Sequence, residues 1–186
     1  MQLSGRKIAI LATNGFEQSE LEVPRDRLKA TGASVDIVSL QPGTIKGWDK
    51  KDWGRPVQVD KTLSEVSPND YDAVVLPGGQ INPDLLRVEQ QALDFIKAIF
   101  DQKKIVAAVC HAPWLLIETG IAKDRKMTSY KSIKTDVINA GGKWEDLKVV
   151  VDNGIITSRN PGDLEAFCAK IIEEVLEGKH TRRSAA

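Results

Sequence analysis

Apolar residues in this chain gather in short unbroken runs, separated by longer stretches with a helical rhythm. The first run is Lys7-Ile8-Ala9-Ile10-Leu11-Ala12 and the second Val35-Asp36-Ile37-Val38-Ser39-Leu40. Tyr71-Asp72-Ala73-Val74-Val75-Leu76 and Ile105-Val106-Ala107-Ala108-Val109 follow. Runs of this length, rich in β-branched residues and free of Pro and Gly, predict buried strands. Between the first two, Glu17 opens a helical segment that runs to Ala30, with Gly32 as its stop and Pro24 predicting a kink or a late start. After Asp84, residues Leu85, Val88, Ala92, Leu93, Ile96, Ile99 and Phe100 recur with helical spacing.

The second half repeats the pattern. Pro113 sits in the first turn of a helix that stops at Gly120, where its missing N–H costs nothing. A short strand is predicted at Lys126-Met127-Thr128-Ser129, and a helix from Ser132 to Ala140 that ends at Gly141-Gly142. Asp152-Asn153-Gly154 is a hairpin turn between Trp144 to Val151 and Ile155 to Thr157. Asn160-Pro161 starts the last helix, whose Leu164, Phe167, Cys168, Ile171, Ile172, Val175 and Leu176 share one face and whose stop is Gly178. Residues from Pro42 to Asp60 break the pattern and read as a small hairpin. Its Trp48 and Trp53 cap a pocket, bury a subunit contact or seal the hairpin against the domain. Strands alternating with helices give an α/β sandwich with a mostly parallel sheet, in residues 1–178, followed by a polar tail at 179–186 that is expected to be mobile.

Composition narrows the function. Lys+Arg and Asp+Glu both number 26, so the net charge is zero and nothing points to nucleic acid or an anionic membrane. No apolar run approaches a membrane span, and the start of the chain lacks a signal-peptide core. The two cysteines lie in unlike settings and do not form a disulfide framework, so a reducing cytoplasm is the expected location. Two cysteines and two histidines without ligand spacing build no metal site, and no cofactor is expected.

Candidate chemistry centres on Cys110, at the junction of the fourth strand and the helix that Pro113 opens. Ala108 and Ala112, two residues away on either side, are small enough for a sharp strand-to-helix turn. This is the logic of a nucleophile elbow with Cys in place of Ser. The elbow lifts the thiol to a helix N-terminus, which favours thiolate. Read otherwise, Cys110 is one more buried small hydrophobe. Gly78-Gly79 follows the third strand, where paired glycines let the backbone approach a ligand closely or take positive φ. Glu17, Gly78-Gly79, Cys110 and Ser158-Arg159 all follow strand ends, where ligands bind in such folds. Cys168 is core, and His180 is in the tail.

With these residues in place the chain resembles the PfpI family of the ThiJ/PfpI superfamily. The matching pieces are Gly15-Phe16-Glu17 with Glu20-Leu21, Leu76-Pro77-Gly78-Gly79, Ala108-Val109-Cys110-His111-Ala112-Pro113, Thr128-Ser129-Tyr130 and Ile156-Thr157-Ser158-Arg159. The resemblance implies a flavodoxin-like three-layer sandwich with small hairpin additions and Cys110 as nucleophile. It implies oxyanion donors from the backbone N–H groups of Gly79 and His111, and Glu17 in contact with the thiol. Gly78, Tyr130 and Arg159 are the expected substrate-binding positions. It also implies homo-oligomers, dimers and in some members hexamers. In its protease-like branch an acid after the double glycine comes from the neighbouring subunit and orients the histidine. Asp84 is the nearest counterpart here, in a segment Gln80-Ile81-Asn82-Pro83-Asp84 that is one residue longer than that pattern.

The family includes intracellular proteases, glyoxalase- or deglycase-like enzymes and stress proteins. Two functions follow as expectations. One is a cysteine hydrolase of reactive carbonyls, their protein adducts or peptides, with His111 moving protons. The other is a stress protein in which oxidation of Cys110 is itself the signal. Class I glutamine amidotransferase chemistry is excluded, because it uses a histidine distant from the cysteine and His180 is the only distant one.

Overall fold

Seventeen regular elements fill the described part of the protein, which in this computed structural model is residues 2–178. Met1 and the expected tail with His180 lie outside the described residues. In chain order the first half is β1 (Lys7–Leu11), α1 (Gln18–Ala30), β2 (Ser34–Ser39), β3 (Thr44–Asp49), β4 (Asp52–Gln58), β5 (Lys61–Thr62), β6 (Ala73–Leu76), α2 (Ile81–Leu86) and α3 (Gln90–Asp101). The second half is β7 (Ile105–Val109), α4 (Pro113–Glu118), β8 (Lys126–Met127), α5 (Lys134–Asn139), β9 (Lys143–Trp144), β10 (Val149–Asp152), β11 (Ile155–Ser158) and α6 (Leu164–Glu177).

Seven strands form one sheet in the order β10-β11-β7-β6-β1-β2-β5. Only the β10–β11 pairing in it is antiparallel. Successive strand residues face opposite sides. Ile8, Ile10, Ala107 and Val109 therefore pack against Leu21 and Leu28 of α1 and Phe167 and Ile171 of α6. Ala9, Leu11, Val106 and Ala108 pack against Ile96 and Ile99 of α3, Leu115 and Leu116 of α4 and Val137 of α5. Burial on both faces is why these strands are unbroken apolar runs rather than alternating ones. The result is the expected three-layer α/β sandwich. From β1 the chain passes to β2 on one side and later returns to β6 on the other. The switch point lies between β1 and β6, and a crevice opens there at the strands' carboxyl ends.

The β3–β4 hairpin stands apart from the sheet with Trp48 opposite Trp53. Trp48 N–H donates to the Phe16 carbonyl at 2.6 Å and Gly15 N–H to the Lys46 carbonyl at 2.8 Å, so the hairpin is fastened to the loop after β1.

Four expectations change. The helix placed after Asp84 is two helices, and Asp84 lies inside α2; Glu89 takes extended backbone and separates them. Leu86 and Ala92 pack into the same core across that break, which hid it in the apolar rhythm. Leu85 and Val88, part of the helical apolar rhythm, and Leu176, placed on the apolar face of the last helix, are exposed. Trp144 belongs to β9, paired with β8, and not to the β10–β11 hairpin. Pro24 does not delay α1, which starts at Gln18 and runs through it.

Candidate active site

Cys110 ends β7 with φ of +64°, a left-handed conformation that is uncommon for a residue with a side chain. The turn is held on both sides: Cys110 N–H donates to the Ser158 carbonyl at 3.0 Å, and its own carbonyl accepts from Tyr130 N–H at 2.8 Å. Strain of this kind persists only where neighbours over-determine it. The helix that follows, α4, has six residues. Help to the sulfur comes from individual N–H groups, those of Gly79 and His111, which lower its pKa against the effect of burial.

The glycine pair is demanded by crowding. A methyl on Gly78 would stand 2.6 Å from Cys110 Cβ, 2.6 Å from Glu20 Oε2 and 2.7 Å from the Val109 carbonyl. Gly79 has φ of +74°, and a methyl there would meet the Gly15 carbonyl at 2.5 Å. Asn82, fully buried, ties the two loops of the switch point together. Its Oδ1 accepts from Thr13 N–H at 2.7 Å and its Nδ2 donates to the Pro77 carbonyl at 2.8 Å.

Glu20, not Glu17, meets the thiol. Its side chain lies beside Cys110 and its Oε2 accepts the Gly78 N–H at 2.9 Å, while Oε1 is buried without a hydrogen-bond partner; the residue is completely buried. Burial pushes its carboxyl up to about 8, with the nearby Glu17 charge adding to the rise and the Gly78 N–H opposing it. Burial also holds the Cys110 thiol above its ordinary range, with the Glu20 charge next and the two N–H donors opposing. Two adjacent buried acids cannot both ionise, so the pair carries at most one negative charge at neutral pH. Glu17 stands at the cleft wall, its carboxyl raised by partial burial and by Asp49 and partnered by Ser19. The difference between the two acids has a local cause. Glu17 precedes the first helical residue, whereas Glu20 lies on the buried face of α1 with Leu21, Pro24 and Leu28.

His111 Nδ1 lies 3.2 Å from Cys110 Sγ, and Nε2 lies 3.2 Å from Ser132 Oγ. Its ring stacks on Tyr130, centroids 4.8 Å apart, and meets the edge of Trp114 at 5.3 Å. Burial lowers its pKa, so the ring is neutral at neutral pH.

Cys110, His111, Gly79, Glu17, Glu20 and Tyr130 all line one cleft of about 540 Å³ at the switch point. Trp48 and Lys50 of the hairpin line one of its walls. Two expected substrate-binding residues are elsewhere. Gly78 spends its N–H on Glu20, and its carbonyl accepts from Asn82. Arg159 is held by Asp163 and Asp146, each at 2.8 Å, and lines a separate hollow. Opposite charges close by in the fold took it from the cleft. Asp84 is exposed on α2 and is not a hydrogen-bond partner of His111 within the protomer. Sequence reading missed Glu20, Ser132, Asn82 and Lys50. Only Glu20 left a signal: it sits four residues before Pro24 and eight before Leu28, on the buried stripe.

A cysteine in a strained strand-to-helix turn, beside an acid and a histidine at the switch point of a doubly covered sheet, defines a class of α/β sandwich proteins. The chain belongs to the DJ-1/PfpI family, whose model matches residues 6–174. It is 43% identical over 167 residues to Deglycase PfpI of Pyrococcus furiosus, covering 90% of this chain and 98% of the relative. Protein/nucleic acid deglycase 2 of Escherichia coli is 42% identical over 164 residues, 87% and 93% of the two chains. Among solved structures, a two-domain protein of Anabaena variabilis with DJ-1/ThiJ/PfpI-like and ferritin-like domains superposes with a TM-score of 0.85 at 36% identity. That match covers 90% of this chain, which spans 47% of the longer one. Among the described residues no helix is long and apolar enough to cross a membrane.

Proposed function

We propose that the protein is a cysteine-dependent hydrolase of the deglycase kind, acting on reactive carbonyl compounds or their adducts with protein side chains. One observation carries this reading: Sγ of Cys110 lies at the cleft with two backbone N–H groups, Glu20 and His111 around it. The Cys110–Glu20 pair rests protonated and loses one proton to react: sulfur with this company takes that charge, and Glu20 keeps its proton and donates it to Sγ. Attack forms a carbon–sulfur bond while the carbonyl π pair moves onto oxygen, which takes the proton held by Glu20; the neutral His111 ring keeps its N–H. The Gly79 and His111 N–H groups, as oxyanion donors, stabilise the charge while it develops. A cleft of about 540 Å³ suits a small molecule or one modified side chain. The names of the two deglycase relatives agree with this substrate class.

Turnover of methylglyoxal hemithioacetals, glycated side chains and peptides by the wild type and Cys110→Ser tests the proposal. Release of the amine or acid by the wild type alone is expected. Failure with every substrate, together with selective peroxide oxidation of Cys110, overturns it in favour of an oxidation-sensing stress protein. The working unit in this proposal is a homo-oligomer in which a second copy covers Ile81, Leu85 and Val88, exposed beside the cleft. A monomer in sedimentation at micromolar concentration would remove that element.

A further inference from the structure

The geometry points to Ser132 as the positioning residue that sets which nitrogen of His111 carries the proton, a role that rests on the proposed use of Cys110 as a thiolate nucleophile. A neutral imidazole has one N–H and one bare nitrogen, and the partner of one nitrogen decides the state of the other. Nδ1 faces Cys110 Sγ and Nε2 faces Ser132 Oγ, both at 3.2 Å. A carboxylate at Nε2 only accepts, so it would draw the proton to Nε2 and leave a bare Nδ1 against the sulfur. A hydroxyl can donate instead. Ser132 O–H donates to Nε2, the ring proton sits on Nδ1, and Nδ1–H faces the thiolate.

The placement of Ser132 is built in. It lies in a tight turn, Lys131–Ile133, whose Ile133 is buried in the core. The preceding segment is tied down: Tyr130 N–H donates to the Cys110 carbonyl, Trp144 Nε1 to Ser129 Oγ at 3.0 Å, and Thr128 N–H to Thr157 Oγ1 at 2.9 Å. One turn thus supplies both the ring that stacks on His111 and the hydroxyl at its Nε2. Charged groups near the other side of the imidazole are engaged with one another or with Trp114. Asp136 accepts the Trp114 indole N–H, and Arg87 lies over the Trp114 ring and pairs with Glu118. The ionisable groups that share the cleft with the imidazole are Cys110, Glu20, Glu17, Lys50 and the Tyr130 phenol.

The reactive state is therefore a thiolate that receives hydrogen bonds from Gly79 N–H, His111 N–H, Glu20 and His111 Nδ1–H.

Nitrogen-15 NMR of the imidazole in the full-length protein at neutral pH reads the tautomer directly, without any turnover. Nδ1–H is expected in the wild type and in Ser132→Thr, which keeps the hydroxyl. In Ser132→Ala the proton should move to Nε2. The Cys110 thiol pKa, from thiolate absorbance, should then rise, and alkylation of Cys110 at neutral pH should slow about fivefold, the worth of one neutral hydrogen bond. Asp84→Asn should leave all three readings in place. An Nε2–H ring in the wild type, or a Ser132→Ala spectrum identical to it, overturns the inference. So does a tautomer change in Asp84→Asn, which would mean that an acid from a second copy holds the ring. Absence of turnover alongside the expected tautomers would sink the proposed activity and uphold the role of Ser132.

Discussion

The elbow after β7 and the middle of α6 each hold a buried cysteine, Cys110 at 6% and Cys168 at 2% exposure. Burial acts on both in the same direction; it pushes the Cys168 thiol up to about 11, opposed by Arg27, and raises Cys110 as well. Burial alone therefore makes a cysteine inert. What differs is the backbone and the polar company. Cys168 lies buried in the regular helix α6, with Arg27 of α1 as its charged neighbour. Cys110 lies in left-handed backbone that turns its sulfur toward two N–H groups, an acid and an imidazole. A reactive thiol is made by donors that the chain must bend to supply.

The sharpest way to break this comparison is to remove each sulfur in turn. Cys110→Ser should lower turnover by on the order of a thousandfold or more, because the parts of such a site act as a unit. Cys168→Ser should leave turnover unchanged. Equal losses in steady-state assays would erase the distinction.

Next in size is the pH dependence that Glu20 gives to the elbow. Its carboxyl is raised by burial from 4.5 to about 8, so between those values the native state holds a proton that the unfolded chain has lost. Stability should then fall as pH rises through this window, by up to roughly 1.4 kcal/mol per pH unit. Denaturant titrations across the window should show the slope vanish in Glu20→Gln. Cys168 contributes no slope there, since its thiol stays protonated throughout. A slope of opposite sign would mean that Glu20 is stabilised as a carboxylate.

Gly78→Ala is a subtler probe, since it places a methyl between Cys110 and Glu20. Overpacking of this kind costs about 1–3 kcal/mol, visible as a lower thermal midpoint, and it should reduce turnover by displacing the pair. An unchanged midpoint would show that the two loops are not closed on each other. The smallest effect is expected in α6, where Cys168→Ala should cost about 1 kcal/mol. Brief alkylation followed by mass spectrometry should modify Cys110 in the folded protein and Cys168 only on unfolding. Equal labelling rates would remove the contrast between the two thiols.

The amino-acid pattern determined a good deal of this molecule. Unbroken apolar runs located β1, β6 and β7, because residues buried on both sheet faces have no polar side to show, and β2 showed as an apolar run interrupted by Asp36 and Ser39. Small residues around Cys110, Pro113 after it and the Gly78-Gly79 pair marked the elbow and the close approach, because those backbones admit little else. Pattern reports which residues must be buried or which turns must be made. It does not report which polar atom reaches which partner. Glu20 and Gly78 are 58 positions apart and His111 and Ser132 are 21 apart, so their meetings exist only once the sheet order is set. Tertiary structure alone chose Glu20 over Glu17, diverted Arg159 to Asp146 and Asp163, laid Trp48 and Lys50 along the cleft and put a hydroxyl at His111. Hydrogen bonds work over a few tenths of an ångström, and only the packed fold positions side chains that closely.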